Sequence, residues 1–587
     1  MFDALLVQIG TSYIHMPLRS NEPQLGQYYI AEYASTKGVI VKVKKYTSNQ
    51  PILEDLVKRL KDNNCKIVGF YVDSENLWTI RRITLLLKDR IPDLCVIVGG
   101  PQVTSDPHLA FKRIPNVTYA IVGEGEIPFT ELILQKNTQS DISNIKGVCY
   151  IDESNRFHYT GGQPMSRCLD DYPYPRRKEY CIDEGLLFDQ ISTGRGCIGK
   201  CSFCFEGSKK ENRLRLRSIK NVIEEIDYVI SNLTDSHYVS FLDDTFIINP
   251  ERTRTICNHL IDKYDGKIGW FCEARADILI KNIELLPLMK RAGLIRVQLG
   301  GESGSQEILD LYNKNMKIED LLLVVEAIYK SGIPSTYINF IVGGAKESLE
   351  SFNKTLELAK RLIDIAPGCA EVGCSLFSPY AGTPMRNNPE MYGLKLIDTD
   401  LLRGPDGHTP FVETEKLDKF KILQLKSIFE QEIRVHQLSK IKEFSKEEIL
   451  CHYYFFKNYG MATNWYTLCN EVESINNYFS AISSYSFSSF NDMSIDEIRG
   501  SVPYRTSQPI SDGEKFYRIV FGDKYVENTP LEDAVFMLSS GKISFAEIVN
   551  ILSRSSQFMT VQNLEEEIIN VYKKFDNEYS VVWKNFI

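Results

Sequence analysis

The sequence predicts an α/β protein built from three successive parts. Residues 1–135 alternate short apolar runs with amphipathic stretches, the pattern of a doubly wound parallel sheet. Strand-like and helix-like segments alternate again over about residues 186–385, which predicts a partial (β/α)6 barrel. Beyond residue 400, a long amphipathic segment and a helix–turn–helix rhythm near the end predict a mostly α-helical C-terminal region.

The first sheet is expected to bind a ligand at the carboxyl ends of its strands, where doubly wound sheets hold their ligands. Glycines there allow a ligand to approach the backbone closely, although any one of them can instead simply form a turn. No G-x-G-x-x-G opens the first helix, so the pattern does not favour a nicotinamide cofactor. The candidate binding residues are Thr11, Ser12, Asp73, Ser74, Gly99, Gly100, Gln102, Thr104, Gly123 and Glu124.

Composition excludes several classes of protein. The 587 residues are 43% hydrophobic and 25% charged, which is ordinary for a globular chain. We find no apolar run long enough to cross a bilayer and no signal peptide, so the cytoplasm is the expected compartment. The 14 dispersed cysteines do not form a disulfide framework. A net charge of −9 without a basic tract makes a nucleic-acid partner unlikely.

One short loop, "STGRGCIGKCSFCFEG", groups three cysteines in the spacing C-x-x-x-C-x-x-C: Cys197, Cys201 and Cys204. Part of a zinc site is one alternative, but a structural zinc site needs four ligands and no fourth cysteine or histidine follows in register. Three thiolates on a short loop instead suit a 4Fe–4S cluster that keeps one iron open. The loop therefore predicts an iron–sulfur cluster with a free coordination position.

Taken together, these segments resemble the cobalamin-dependent radical S-adenosylmethionine enzymes. "LGQYYIAEYASTKG", "VGGPQVTSDP" and "VGEGEIPFTELI" are similar to a helix and two strand ends of their Rossmann-like cobalamin-binding domain. Phe203, before the third cysteine, matches the aromatic residue of their cluster loop. The resemblance implies a 4Fe–4S cluster on the three cysteines, S-adenosylmethionine at its open iron, and cobalamin. Since the D-x-H-x-x-G motif is absent, it implies base-off cobalamin without a histidine below the cobalt.

The resemblance also divides the chain. It implies a cobalamin-binding domain at residues 1–135, a linker at 136–185, a radical S-adenosylmethionine barrel at 186–400 and a C-terminal helical substrate or cap domain at 401–587. The last 60 or so residues are faintly similar to winged-helix modules that grip leader peptides, and a helical cap closing the barrel is the alternative.

Polar residues at the predicted barrel strand ends are candidates for binding S-adenosylmethionine. Acidic side chains there can hold its ammonium and hydroxyl groups, and arginine can fork onto its carboxylate. A barrel-stabilising ion pair is the alternative for Glu273 and Arg275. The loop "GGAKES" departs from the G-x-P-G-E-T-like loop of relatives, which leaves the role of Gly343 and Gly344 open. The candidates are Asp243, Asp244, Glu273, Arg275, Gly301, Glu302 and Ser303.

The resemblance implies an enzyme, most directly a methyltransferase that acts at an unactivated carbon of a peptide or natural product. The alternative within the family is ring formation or rearrangement without methyl transfer. A cobalamin sensor without turnover is a remote alternative, because a sensor needs no open-iron cluster. A methylthiotransferase acting on transfer RNA is disfavoured, because the tail is not basic. The implied partners are a peptide or small-molecule substrate and an electron donor such as flavodoxin or ferredoxin, without a membrane.

The cluster assignment predicts that only substitutions at the three loop cysteines abolish iron binding and S-adenosylmethionine cleavage. Anaerobically reconstituted protein should bind about four irons per chain at this loop and cleave S-adenosylmethionine reductively. Alanine at Cys197, Cys201 or Cys204 should abolish both, because each thiolate holds one iron. Alanine at Cys65 or Cys451 should change neither the iron content nor the cleavage rate. Full cleavage activity in the triple-alanine variant would refute the assignment.

Overall fold

The computed structural model describes most of the chain. The described residues are 1–10, 24–47, 51–73, 76–138, 141–183, 189–208, 214–233, 238–397, 409–484, 487–488, 490, 493–513 and 515–584. They form two compact units, Met1–Ile433 with Asn458–Gly460, and Arg434–Lys457 with Met461–Ile587. The domain boundaries implied by the sequence stay predictions.

The first part of unit one is a seven-stranded sheet with strand order β2-β1-β3-β4-β5-β6-β7, of which β1 to β5 are parallel. Its central strands are buried on both faces, as their nearly continuous apolar runs require. The strands are β1 Ala4–Gly10, β2 Val41–Thr47, β3 Ile67–Tyr71, β4 Cys95–Gly99, β5 Tyr119–Ile121, β6 Val148–Ile151 and β7 Phe157–Tyr159. The helices are α1 Leu25–Thr36, α2 Ile52–Asp62, α3 Leu77–Arg90, α4 Pro101–Ser105, α5 Pro107–Arg113 and α6 Glu126–Thr138.

The segment between the sheet and the barrel partly joins the sheet. Within it, β6 and β7 pair antiparallel with each other as a hairpin and extend the sheet beyond β5. A short helix, α7 (Arg177–Tyr180), follows. Its Arg177 is fully buried against Glu225, so this connector is anchored inside unit one.

The second part of unit one is the predicted partial barrel, six parallel strands in the order β15-β14-β13-β12-β11-β8. The strands are β8 Gln190–Ile191, β11 Tyr238–Phe241, β12 Gly269–Ala274, β13 Leu294–Glu302, β14 Ser335–Val342 and β15 Ala370–Leu376, and a small antiparallel pair is β9 Gly194–Arg195 and β10 Arg215–Leu216. The helices are α8 Phe205–Ser208, α9 Ile219–Ser231, α10 Pro250–Tyr264, α11 Ala276–Leu279, α12 Leu286–Arg291, α13 Gln306–Leu311, α14 Ile318–Lys330 and α15 Leu349–Ile365.

A short connection leads from the barrel to the predicted long helix, which forms as α17. Its elements are α16 Pro384–Asn387, β16 Leu394–Leu396, β17 Val412–Thr414 and α17 Lys419–Ile441. The strands β16 and β17 pair antiparallel.

The second unit is mostly helical and carries two three-stranded antiparallel sheets, with orders β18-β23-β19 and β20-β21-β22. Its helices are α18 Lys446–Tyr459, α19 Asn464–Cys469, α20 Glu473–Ser484, α21 Ile495–Gly500, α22 Pro530–Leu538, α23 Phe545–Ser553 and α24 Leu564–Asn577. Its strands are β18 Phe487–Ser488, β19 Val502–Arg505, β20 Ile510–Ser511, β21 Phe516–Val520, β22 Lys524–Glu527 and β23 Val581–Lys584. No helix of the described residues is long and apolar enough to cross a membrane.

A buried arginine joins the second sheet to the helices of this unit. Arg518, on β21, is fully buried and donates through Nε and Nη2 to one carboxylate oxygen of Glu578, at 2.9 and 2.7 Å. It also donates to Asn528, and its guanidinium carbon lies 4.8 Å from the ring centroid of Phe575. Replacing this residue would therefore remove all of these contacts together.

Replacing Arg518 with alanine should destabilise the second unit by about 3–5 kcal/mol, because it leaves Glu578 without its buried cation. Hydrogen–deuterium exchange of peptides covering α22 and α24 measures the loss. Arg434→Ala is the matched control, because it breaks a surface pair with Glu471, and it should cost less than about 1 kcal/mol. Equal protection in Arg518→Ala and wild type would contradict this role.

Candidate functional site

A cavity of about 1020 Å³ lies between the carboxyl edge of the first sheet and the barrel. Five sequence-predicted residues line it: Asp73, Gly99, Gly100, Gly123 and Glu124. From the barrel side, the wall includes Gln190, Ser192, Arg195, Leu242, Tyr337 and Cys374. The edge predicted to bind a ligand therefore opens into the same chamber as the barrel.

Two other predicted residues of the first sheet, Gln102 and Thr104, are not among the residues that line the cavity. Thr104 accepts a hydrogen bond from the Gly123 backbone N–H at 3.1 Å, so it shapes the loop that borders the cavity. Gln102 is buried, and its backbone N–H donates to the carbonyl of Val72 at 3.3 Å. Thr11, Ser12 and Ser74 lie outside the described residues.

Several cavity residues were not among the sequence-predicted ones. Gln8, Gln27 and Lys45 line the cavity, and Gln8 accepts from the Gln24 backbone N–H at 2.7 Å. Gln27 sits on the buried face of α1, a position where a polar residue is unusual, and that was the available sequence signal. No sequence pattern indicated Gln8 or Lys45 as cavity residues, because both lie within predicted strands.

The cavity passes a direct test for cobalamin. The Gln27 amide nitrogen donates to the Val7 carbonyl at 3.0 Å, while its amide oxygen has no hydrogen-bond partner among the described residues. A buried acceptor of this kind needs a donor, since leaving it unpaired costs about 1–3 kcal/mol. The amide side chains that surround a corrin ring supply such donors. The glycines at the strand ends leave the space that the ring requires.

The cysteine loop has the surroundings that an iron–sulfur cluster requires. Cys197 Sγ accepts from the Gly199 backbone N–H at 3.3 Å, and Cys201 Sγ accepts from Arg275 Nη1 at 3.2 Å. Burial raises the pKa of the Cys204 thiol to about 11, while backbone N–H groups nearby act in the opposite direction. Donors aimed at sulfur stabilise thiolates, and cluster iron removes their protons outright.

No three His, Cys, Asp or Glu side chains converge around a single-ion position within the described part of the chain. The three thiols of the loop therefore do not form a mononuclear site in this conformation. Three thiolates can each bind one iron of a four-iron cluster and leave the fourth iron open, so the chemistry of the donor set fits the cluster. The assignment of Cys197, Cys201 and Cys204 as its ligands is our proposal.

Arg195 connects the cysteine loop to the first sheet. Its guanidinium contacts Glu124 at 3.0 Å and Glu126 at 2.5 Å, and Arg215 pairs with Glu124 as well. Burial opposes the ionised form of Glu124, but the two arginines hold its pKa below the usual value. Glu124 thus borders the cavity as a paired carboxylate rather than an isolated charge.

Two of the predicted barrel residues make contacts that organise the strand ends. Asp243 accepts from the backbone N–H and the hydroxyl of Thr193, at 3.0 and 2.7 Å, and burial raises its pKa to about 6. Glu273 accepts from Gln298 Nε2 at 3.1 Å on the neighbouring strand. Asp244 directly follows Asp243 and lies near Cys204. Binding of S-adenosylmethionine by these carboxylates stays a prediction.

Three more of the predicted barrel residues, Gly301, Glu302 and Ser303, form a buried group at the end of β13. Glu302 pairs with Lys314 at 2.6 Å, and a Cβ at Gly300 would collide with both side chains. A Cβ at Gly301 would lie 2.7 Å from Ile338, and Ser303 shares a hydrogen bond with Thr355 at 3.3 Å. Gly301 and Ser303 therefore have packing roles in addition to any contact with a ligand.

Two barrel cysteines and the two glycines of the loop "GGAKES" have different surroundings in the structure. Cys374 lines the cavity, whereas Cys272 is fully buried and is not among the lining residues. Gly343 and Gly344 point their backbone N–H groups at the buried carboxylate of Glu347, whose pKa burial raises to about 8. Those two N–H groups therefore bind the protein's own carboxylate.

The chain joins a sheet domain, with a cavity at its carboxyl edge, to a partial barrel that carries three cysteines before its second strand. This combination defines a radical S-adenosylmethionine enzyme with an accessory cofactor domain. Comparison with protein families agrees. The family model of the Radical SAM superfamily matches residues 191–359, and that of the B12 binding domain matches residues 17–133. The chain belongs to the cobalamin-dependent radical S-adenosylmethionine enzymes, whose cofactors are a 4Fe–4S cluster, S-adenosylmethionine and cobalamin.

Individual relatives agree with this placement. An uncharacterized methyltransferase of Pyrococcus horikoshii is 27% identical over 62% of this chain and 77% of its own length. An anaerobic magnesium-protoporphyrin IX monomethyl ester cyclase of Rubrivivax gelatinosus is 26% identical over 58% of this chain and 63% of its own length. The solved structure of the cobalamin-dependent S-adenosylmethionine radical enzyme OxsB, with aqua-cobalamin and S-adenosylmethionine bound, shares the fold with a TM-score of 0.59 at 17% identity, covering 82% of this chain and 79% of that one.

Gly99 offers a direct test of the cobalamin cavity. A Cβ there would meet nothing closer than Ile121 at 3.9 Å, whereas one at Gly100, where φ is +106°, would lie 2.7 Å from the Val72 carbonyl. Gly99→Leu should therefore keep the fold but fill part of the cavity. We expect about tenfold or weaker binding of hydroxocobalamin in an absorption titration.

Gly500→Leu is the control for Gly99→Leu, because its new side chain meets nothing within 4 Å and lies in the second unit. It should bind hydroxocobalamin as the wild type does. Unchanged affinity in Gly99→Leu would place cobalamin elsewhere.

Proposed function

We propose that this protein is a methyltransferase that uses S-adenosylmethionine and cobalamin to methylate an unactivated carbon. The observation that carries the proposal is the shared chamber: the cobalamin edge of the sheet and the barrel wall line one cavity. A methyl group held at the carboxyl edge of the sheet and a substrate carbon held at the barrel wall can therefore meet inside one cavity. The relative named as a methyltransferase supports the same reaction.

The residues of the chain would orient the reacting groups. Leu242, Tyr337 and Cys374 form the barrel part of the wall, where the substrate carbon would lie. Gln27 and the strand-end glycines would hold cobalamin on the other side. Arg195, paired with Glu124 and Glu126, keeps the two sides at a fixed separation.

The bound cofactors supply the radical chemistry and the methyl group itself. We propose that Cys197, Cys201 and Cys204 hold the cluster and that S-adenosylmethionine lies between it and the cavity. A cytoplasmic one-electron donor such as flavodoxin or ferredoxin would reduce the cluster.

Ring formation or rearrangement without methyl transfer is the second candidate, because one relative is named as a cyclase. S-adenosylmethionine with a deuterated methyl group separates the two. Methyl transfer predicts a product heavier by one trideuteromethyl group, whereas ring formation predicts no label in the product. An unlabelled product with altered hydrogen content would overturn the proposed methylation.

We propose further that the substrate is a peptide and that the second unit binds part of it. In that unit β22 is an edge strand that pairs only with β21 among the described residues. The Asn528 N–H donates to the Phe516 carbonyl at 3.0 Å, which fixes the ladder register. In an antiparallel ladder of this register, the N–H and C=O groups of Tyr525 and Glu527 point away from β21. Such an edge is complementary to an extended chain.

Proline at Tyr525 tests the edge selectively. It removes an outward N–H and leaves the ladder to β21 intact, a change that edge strands tolerate. For a peptide substrate we expect KM to rise about three- to tenfold, with unchanged substrate-free cleavage of S-adenosylmethionine. Tyr525→Ala, which keeps the N–H, is the control for loss of the side chain. An unchanged KM in Tyr525→Pro would favour a small-molecule substrate.

A further inference from the structure

The guanidinium of Arg275 is committed to protein groups on every side. Its Nη1 donates to Cys201 Sγ at 3.2 Å. Its Nε and Nη2 donate to the two carboxylate oxygens of Asp277, at 3.0 and 3.1 Å, and Nη2 also donates to the Lys314 carbonyl. The side chain is buried, so these partners take the place of water.

The local backbone is arranged to keep this contact. A Cβ at Gly199 would lie 2.5 Å from Arg275 Nη1, so only glycine leaves room for the guanidinium between the loop and the strand. The Lys314 carbonyl is itself fixed, because the Lys314 ammonium pairs with buried Glu302 at 2.6 Å. Three separate positions of the sequence therefore act around the Cys201 sulfur. Arg275 donates the hydrogen bond, Lys314 holds the guanidinium through its carbonyl, and Gly199 leaves the space that the guanidinium occupies.

We infer that Arg275 is a positioning residue for the cluster: it donates a charged hydrogen bond to the Cys201 thiolate and thereby raises the reduction potential of the cluster. Hydrogen bonds and positive charge near cluster sulfur favour the reduced form, because reduction adds negative charge to the cluster. This inference depends on the cluster assignment made above. It replaces the expectation that Arg275 forks onto the carboxylate of S-adenosylmethionine, since both edges of the fork are already occupied.

Potentiometric titration of the anaerobically reconstituted full chain, followed by the electron paramagnetic resonance signal of the reduced cluster, tests the inference. Arg275→Gln should keep the iron content and shift the midpoint potential to a more negative value. Arg275→Lys should shift it less, because the charge remains while the fork is lost. In both variants the dissociation constant for S-adenosylmethionine should stay within about twofold of the wild type.

Gly199→Ala provides the same test with Arg275 retained. Its Cβ displaces the Nη1 group, so the potential should again fall while the Gly199 N–H still reaches Cys197. Arg518→Lys is the matched control, because it weakens another buried arginine–carboxylate contact, and it should lower stability without moving the potential. Loss of iron from the triple-alanine cysteine variant, tested separately, reports on the cluster assignment itself.

Two outcomes would overturn the inference. The first is an unchanged midpoint potential in both Arg275→Gln and Gly199→Ala with full iron content. The second is a large loss of S-adenosylmethionine affinity in Arg275→Gln at unchanged potential, which would return Arg275 to the carboxylate. If Arg275→Gln fails to assemble a cluster, Gly199→Ala and Arg275→Lys decide between these results.

Discussion

The arrangement of the site depends on the ion pairs between the cysteine loop and the turn that follows β5. Arg195 and Arg215 lie opposite each other on β9 and β10, and both contact Glu124. Arg195 also contacts Glu126, at the start of α6. Partly buried pairs of this kind add little net stability, because desolvation cancels much of their attraction. Their contribution is to hold the loop in place: the loop that would bind the cluster cannot shift without breaking its ion pairs to the carboxyl edge of the first sheet.

A second, buried group of charged residues also holds the cysteine loop and the β9–β10 pair in place. Glu225, on α9, lies between Arg177 of the connector and Arg217 of the barrel, and Arg217 reaches Tyr29 of α1 at 3.1 Å. Arg217 also donates to the Ser192 carbonyl at 2.7 Å, directly before the strand pair that carries Arg195. The segment is therefore fixed by the sheet domain, the connector and the barrel at once. Such preorganisation matters in a site that must hold two reacting groups at a set distance.

The features of the site that depend on neighbouring residues in the sequence could be predicted from the sequence. Strand ends such as Gly99 and Glu124, and the cysteine spacing, follow from short-range patterns, and the parallel sheets follow from alternating segments. The pairing of charges did not follow, because Arg195 and Glu126 are 69 positions apart and only the fold brings them together. For the same reason the sequence did not reveal that Glu302, a predicted ligand-binding residue, pairs with the protein's own Lys314. Charges at strand ends indicate a polar site without saying which of them face the ligand.

The charges around the cysteine loop thus largely neutralise one another, and this suits the chemistry. Reactions of neutral radicals need little electrostatic stabilisation, in contrast to reactions that build charge in the transition state. The cavity wall offers Leu242, Tyr337 and Cys374 on the barrel side, and Gly373 leaves the space that the Tyr337 hydroxyl occupies. Since a Cβ at position 373 would collide with that hydroxyl, the wall has a defined shape next to the proposed substrate position. We expect selectivity in such a chamber to follow mainly from its shape.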